Sequence, residues 1–126
     1  MLGYAIVGSN NLEAAKAFYG AFLGAMGVTK MFDHPSGGAI YARDGQLQFG
    51  VLGPHDGQPH AVGNGQMTAF QATSNEDVKR LHALGLSLGG SNEGDPGPRG
   101  GDNSPFFGAY LRDLDGNKLC VFYWNR

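Results

Sequence analysis

Residues 109–126 read AYLRDLDGNKLCVFYWNR, two runs rich in β-branched and aromatic residues around Asp113, Leu114, Asp115, Gly116 and Asn117. Side-chain carboxylates and a glycine between such runs are what closes a tight hairpin connection. The stretch therefore predicts a strand, a turn and a strand, with Pro105 to Asp113 and Lys118 to Trp124 as the two arms.

Working outward, the chain falls into two similar rounds. Leu2 to Gly8 is a short apolar run of strand type, followed by Asn10 and Asn11 as N-cap candidates for a helix from Leu12 to Met26. Leu12, Ala15, Tyr19, Phe22, Leu23 and Met26 recur at intervals of three and four, the pattern of a helix face packed on a sheet. Val28 to Asp33, Ala39 to Arg43 and Leu47 to Leu52 then read as strands separated by Gly- and Pro-containing turns. Gly53 to Gly65 is a connector by composition. In the second round Gln66 to Thr73 reads as a strand. Ser74 caps a helix with Asp77 three residues on, and Val78, Leu81 and Leu84 form its buried stripe. Leu86 to Gly90 supplies a short strand, and Gly94 to Ser104 reads as a loop. The expected fold is α+β, one domain over residues 1–126 made of two β-α-β-β-β modules, about 1–60 and 61–126, with the helices outside.

Composition limits the function classes. At 126 residues, 41% hydrophobic and 16% charged, the chain is a globular domain of modest size. A formal net charge of −2 offers no electrostatic footprint for nucleic acid or an anionic membrane. With no basic leader and no apolar run of about 18 residues, a cytoplasmic protein is expected. A single cysteine excludes an intramolecular disulfide and a cysteine-rich zinc site.

The residues Asn11 to Tyr19, NLEAAKAFY, and Asp113 to Lys118, DLDGNK, together with Gly94 to Arg99, GDPGPR, resemble in order and spacing the vicinal oxygen chelate superfamily, which includes glyoxalases, bleomycin resistance proteins and extradiol dioxygenases. The resemblance implies two modules curled into a half-open eight-stranded cup holding the site, and a homodimer. It also implies where metal ligands would fall: Tyr4 on the first strand, Gln48 on the fourth, Met67 (or Gln66 with a one-residue slip) on the fifth, and Cys120 on the last. None of these is His, Asp or Glu. A phenol, an amide, a thioether and one thiol make a poor shell for a divalent first-row metal, so neither a metal nor another cofactor is expected.

Strand parity places Tyr4, Ile6, Gln48, Gly50, Met67 and Ala69 on one face together with Tyr110, Arg112, Cys120, Phe122 and Trp124, provided Cys120 faces inward. Such a lining is aromatic and apolar with a few polar groups, the character of a small-molecule site. Cys120, Tyr110 and His60 are the candidate reacting groups, and Arg99 is the cation able to grip an acidic ligand from the Gly94 to Ser104 loop. His55, Asp56 and His60 share the connector, a segment able to act as a lid, whereas His34 and His82 are expected at the surface. Plain alternatives exist for each: Cys120 as a small buried hydrophobe, Tyr4 and Tyr110 as packing residues, Trp124 in a dimer interface, and Arg112 in an ion pair with a turn carboxylate.

The favoured reading is metal-independent binding of a small organic ligand. The alternatives are an enzyme of lyase, isomerase or thiol-transfer type working in the same cup, and a structural dimer whose cup is filled by side chains. For the dimer, Phe106, Phe107, Phe122, Tyr123 and Trp124 concentrate aromatic area near the last hairpin.

Overall fold

The closing hairpin forms as its sequence predicts. In the computed structural model, which describes residues 1–126, the Asp113 Oδ1 accepts from the N–H groups of Asp115 and Asn117, each at 2.9 Å, and Oδ2 accepts from the Asn117 side-chain amide at 2.9 Å. Asp113 is buried, so this carboxylate is exchanged from water onto fixed donors that hold the turn. The arms are β7 (Phe106–Arg112) and β8 (Lys118–Trp124), antiparallel and in continuous register, with Tyr110 opposite Cys120.

The chain divides into two compact units, residues 1–64 and 65–126. The first contains β1 (Ala5–Gly8), α1 (Leu12–Gly24), β2 (Thr29–Asp33), β3 (Ala39–Arg43) and β4 (Gln46–Leu52). Its sheet runs β1-β4-β3-β2, with β1 parallel to β4 and the other pairs antiparallel. The second unit contains β5 (Thr68–Gln71), α2 (Asn75–Ser87), β6 (Ser91–Pro98), β7 and β8. Its sheet runs β5-β8-β7-β6, again with the first strand parallel to the last. The two β-α-β-β-β modules expected from the sequence are therefore present.

Each helix starts on its predicted cap. The Asn11 side chain accepts from the Ala14 N–H at 3.1 Å, and the Ser74 hydroxyl accepts from the Asp77 N–H at 3.0 Å. The Asp77 carboxylate reaches back past the cap to the Thr73 N–H, also at 3.0 Å, holding the chain that enters the helix. Helix α1 buries Ala15, Phe18, Tyr19, Phe22 and Leu23; Phe18 joins the expected stripe, while Leu12 and Met26 stay half-exposed. The Tyr19 ring meets Phe49 of β4 at 4.8 Å between centroids, and Phe18 stacks on Phe22 at 5.6 Å. Aromatic burial of this kind contributes about 1.5–3 kcal/mol per side chain.

Two expectations for the second unit are corrected. Leu86 lies in α2, and the strand falls further on, at Ser91–Pro98, inside what reads as a loop. Two prolines and two glycines in eight residues disguise β6 as irregular chain. It is tolerated as a strand because it is an edge: it pairs only with β7, with register breaks between Asn92 and Gly94 and between Gly94 and Gly97. His82 is also buried, at 4% exposure, and not at the surface. It shares the α2 core face with Val78, Leu81 and Gly85, while Leu84 is only half-buried. The His82 Nε2–H donates to the Asn92 Oδ1 of β6 at 3.0 Å and to the Tyr110 carbonyl of β7 at 3.1 Å, partners supplied by two strands and not by the helix itself.

Candidate functional site

In each unit the helix covers one sheet face and leaves the other open. In the second unit Ala109, Leu111, Leu119 and Val121 are buried with the α2 face, as period-two alternation requires. The opposite parity carries Tyr110, Cys120, Phe122 and Trp124. Phe106 and Phe122 stack at 5.4 Å with rings nearly parallel, and Trp124 meets Phe106 edge-on at 6.3 Å, leaving Trp124 partly exposed.

Tyr110 and Cys120 are cross-strand partners on this face. Cys120 is fully buried. Burial pushes its thiol up to about 11, against the opposing pull of Tyr110, Arg99 and Lys118. At neutral pH it is a thiol and not a thiolate, which removes the ordinary basis for nucleophilic attack. Burial, followed by the neighbouring Cys120, also raises the Tyr110 phenol.

Arg99 folds back over this pair, its guanidinium 5.2 Å from the Tyr110 ring centroid. Its Nη2 donates to the Asp95 carbonyl at 2.7 Å and its Nη1 to the Gly97 carbonyl at 3.2 Å. The fold-back needs a glycine beneath it: a Cβ on Gly94 would stand 2.9 Å from the Tyr110 ring and 3.1 Å from Arg99 Nη2. Lys118 approaches the same ring at 5.5 Å. Arg112 pairs with Glu93 at 3.0 Å, on β6, and not with a carboxylate of the turn.

In the first unit the open face carries two adjoining pockets that share Ile6 and Leu52. One, of about 270 Å³, is lined by Tyr4, Phe32, His34, Ile40 and Leu47 besides these two. The other, of about 330 Å³, lies at the carboxyl ends of β1 and β4 and is lined also by Val7, Gly8, Gly53, Pro54, His55 and His60. The connector comes back over this end of the sheet because Asn10 takes hold of it. Its Oδ1 accepts from the His60 N–H at 2.7 Å, and its Nδ2 donates to the His60 carbonyl at 3.0 Å. Asn10 is thus a latch rather than the helix cap. The His60 ring then fits against Gly8, where a Cβ would lie 2.5 Å from Nδ1. Its Nε2 is buried without a hydrogen-bond partner. Asp56 is spent in its own turn, accepting from the Gln58 N–H at 2.9 Å, so of the connector trio the pocket receives the two imidazoles only.

The structure therefore brings together Tyr110, Cys120 and Arg99 in one unit, and His60, His55 and Ile6 in the other. Gln48 and Met67 stand exposed, Met67 one residue before β5, and Tyr4 is exposed one residue before β1. Asn10, Gly8 and Lys118 were not legible as site residues. The partners of the Asn10–His60 pair are fifty residues apart, and no local pattern marks such a contact.

Two tandem β-α-β-β-β units of matching strand order, each a four-stranded sheet with one helix, define the fold class of this chain. The chain belongs to the glyoxalase/bleomycin resistance protein/dioxygenase superfamily, whose family model matches residues 2–121. It is 38% identical to a glyoxalase/bleomycin resistance protein from Albidiferax ferrireducens T118, with 98% of each chain covered and a TM-score of 0.86. A glyoxalase-related enzyme from Fulvimarina pelagi shares the fold at 18% identity, covering 98% of this chain and 87% of its own, with a TM-score of 0.75. A lactoylglutathione lyase from Agrobacterium tumefaciens does so at 17% identity, covering 98% and 92%, with a TM-score of 0.70. No curated protein matches the sequence.

The superfamily's chelate chemistry implies a divalent metal, and the residues present do not fit one. The matched positions hold an exposed phenol, an exposed amide, a thioether and a thiol that burial keeps protonated. Nowhere in the chain do three His, Cys, Asp or Glu side chains gather in a geometry able to hold an ion. No helix is long and apolar enough to cross a membrane.

Proposed function

We propose that this protein binds a small organic molecule without a metal, using the apolar pocket of the first unit with His60 as its polar anchor. The observation that carries the reading is the His60 Nε2, buried without a partner beside a pocket of about 330 Å³. Leaving a buried imidazole nitrogen unpaired costs about 1–3 kcal/mol, and a ligand offering one hydrogen-bonding group recovers that cost. A pocket of this size, apolar with one or two convergent polar groups, has the make-up of a small-ligand site. The thiol-transfer alternative lacks the thiolate it needs, because Cys120 is held protonated.

The test is titration of metal-stripped protein with phenol and indole, following the His60 imidazole by ¹⁵N NMR. Saturable movement of the Nε2 resonance, unchanged by chelator and lost in His60→Phe, is expected. Binding that appears only after a divalent metal is added would overturn the proposal. The homodimer is proposed on the partly exposed Trp124 and the aromatic Phe106 and Phe122 beside it, and a monomer mass near 13.3 kDa in sedimentation would refute it.

A further inference from the structure

The row of residues that crosses the first unit's sheet on its open face has a gap in it. Ile6, Gly50, Ile40 and Phe32 are register partners on β1, β4, β3 and β2, so they stand in a single line on one side of the sheet. The gap is Gly50, where a Cβ would lie 2.6 Å from Ile6 Cδ1 and 2.7 Å from Ile40 Cδ1. The two isoleucine tips therefore reach over bare β4 backbone and form the floor of the pocket of about 270 Å³, with Tyr4, Phe32 and Leu47 around it. Tyr4, Ile6, Phe32 and Leu47 are each more than a third exposed, an apolar surface concentrated at one place.

His34 is the one nitrogen-bearing side chain of that lining, half-buried in the turn between β2 and β3. Its main chain is fixed at both ends: the N–H donates to the Gly38 carbonyl at 2.8 Å, and the carbonyl accepts from the Gly37 N–H at 2.9 Å. On the ring, Nδ1 accepts from the Ser36 N–H at 3.1 Å and lies 2.9 Å from the Ser36 hydroxyl. A main-chain N–H can only donate, so this network assigns the proton of the neutral imidazole to Nε2. The Nε2–H has no hydrogen-bond partner in the chain, which makes it a donor of fixed polarity at the pocket. Beyond the shared Ile6 and Leu52 stands the His60 Nε2, buried without a partner. No Lys, Arg, Asp or Glu lines either pocket, so a charged ligand group would lose its water there without gaining a counter-charge.

We propose that the two pockets form one site for an uncharged, two-ended molecule: a ring-sized apolar body whose carbonyl or ether oxygen accepts from the His34 Nε2–H, continuing past Ile6 and Leu52 to a hydroxyl or similar group at His60. The inference rests on the His60 pocket being a ligand site, and adds to it a second contact of defined polarity and the exclusion of charge.

The experiment uses the full chain at about pH 8 with para-hydroxybenzylacetone, which carries a phenol at one end and a ketone at the other. Its controls are para-butylphenol, without the ketone oxygen, and para-hydroxyphenylpropionate, in which a carboxylate replaces the methyl ketone. In the free protein, ¹⁵N NMR of the histidine side chains should show His34 as the Nε2–H tautomer. In calorimetric titration the ketone should bind saturably, and the carboxylate at least tenfold more weakly. His34→Phe, which keeps a ring and removes the donor, should lower the affinity for the ketone about fivefold relative to para-butylphenol, and His34→Gln should restore part of that loss by returning an N–H. An Nδ1–H tautomer of His34, equal binding of the carboxylate, or an equal effect of His34→Phe on both phenols overturns the inference. Phenol-induced movement of the His60 resonance is read in the same samples. If it persists while the ketone fails to bind, the two-ended site falls and the His60 pocket stands; if it is absent, both fall.

Discussion

Gly8→Ala tests directly whether the connector is seated as described. Gly8 has no positive φ, so the backbone accepts alanine, and the added Cβ meets the His60 Nδ1 at 2.5 Å, well inside contact distance. The ring cannot retreat freely, because the Asn10 amide holds the His60 main chain on both its N–H and its carbonyl. Overpacking of this kind costs about 1–3 kcal/mol. Alanine also reduces the freedom of the unfolded chain, returning about 0.4–1 kcal/mol. The net expectation is a loss of about 1–2 kcal/mol, which at a urea slope of about 2 kcal/mol/M lowers the midpoint by roughly 0.5–1 M. In a His60→Ala background the same substitution meets no ring, so it should be neutral or slightly stabilising. The coupling between the two changes is then about 1–3 kcal/mol, within the range measured for residues in direct contact. Urea unfolding of the wild type, both single variants and the double variant, with unchanged slope, is the assay. An equal cost of Gly8→Ala in both backgrounds would refute the seating of His60 against β1.

Cys120 should react slowly: a thiol pushed up to about 11 is roughly 0.1% thiolate at pH 8, so modification by Ellman's reagent should lag a free cysteine by orders of magnitude until the protein unfolds. Reaction at the rate of a free thiol would contradict its burial. Asp77 predicts the acid limb of stability. Burial pushes its carboxyl up, but the Thr73 N–H, Arg80 and the Thr73 hydroxyl together hold it below the ordinary carboxylate value. Its contribution is therefore full above the unfolded value near 3.8 and is lost as pH falls through the lower folded one. Asp77→Asn should flatten the stability profile in that acid range and leave its shape near pH 7 unchanged, as read by urea midpoints across pH.

What this sequence determined by itself is what neighbouring residues decide. The Asp113 turn, the Asn11 and Ser74 caps and the helix stripes all involve partners within four positions along the chain, so type and spacing suffice to read them. The repeated element order follows from those local signals, and with it the two-module fold. β6 escaped because its glycines and prolines are poor strand formers that only the edge of β7 makes into a strand. His82 escaped with it, since its two acceptors come from β6 and β7. At the site, strand parity put Tyr110 and Cys120 on one face without pairing them, and the protonated state of Cys120 depends on burial by the whole unit. The seating of His60 against Gly8 and the packing of Arg99 on the Tyr110 ring were decided by tertiary structure alone, because the energy of each contact depends on a distance in space that no sequence separation encodes.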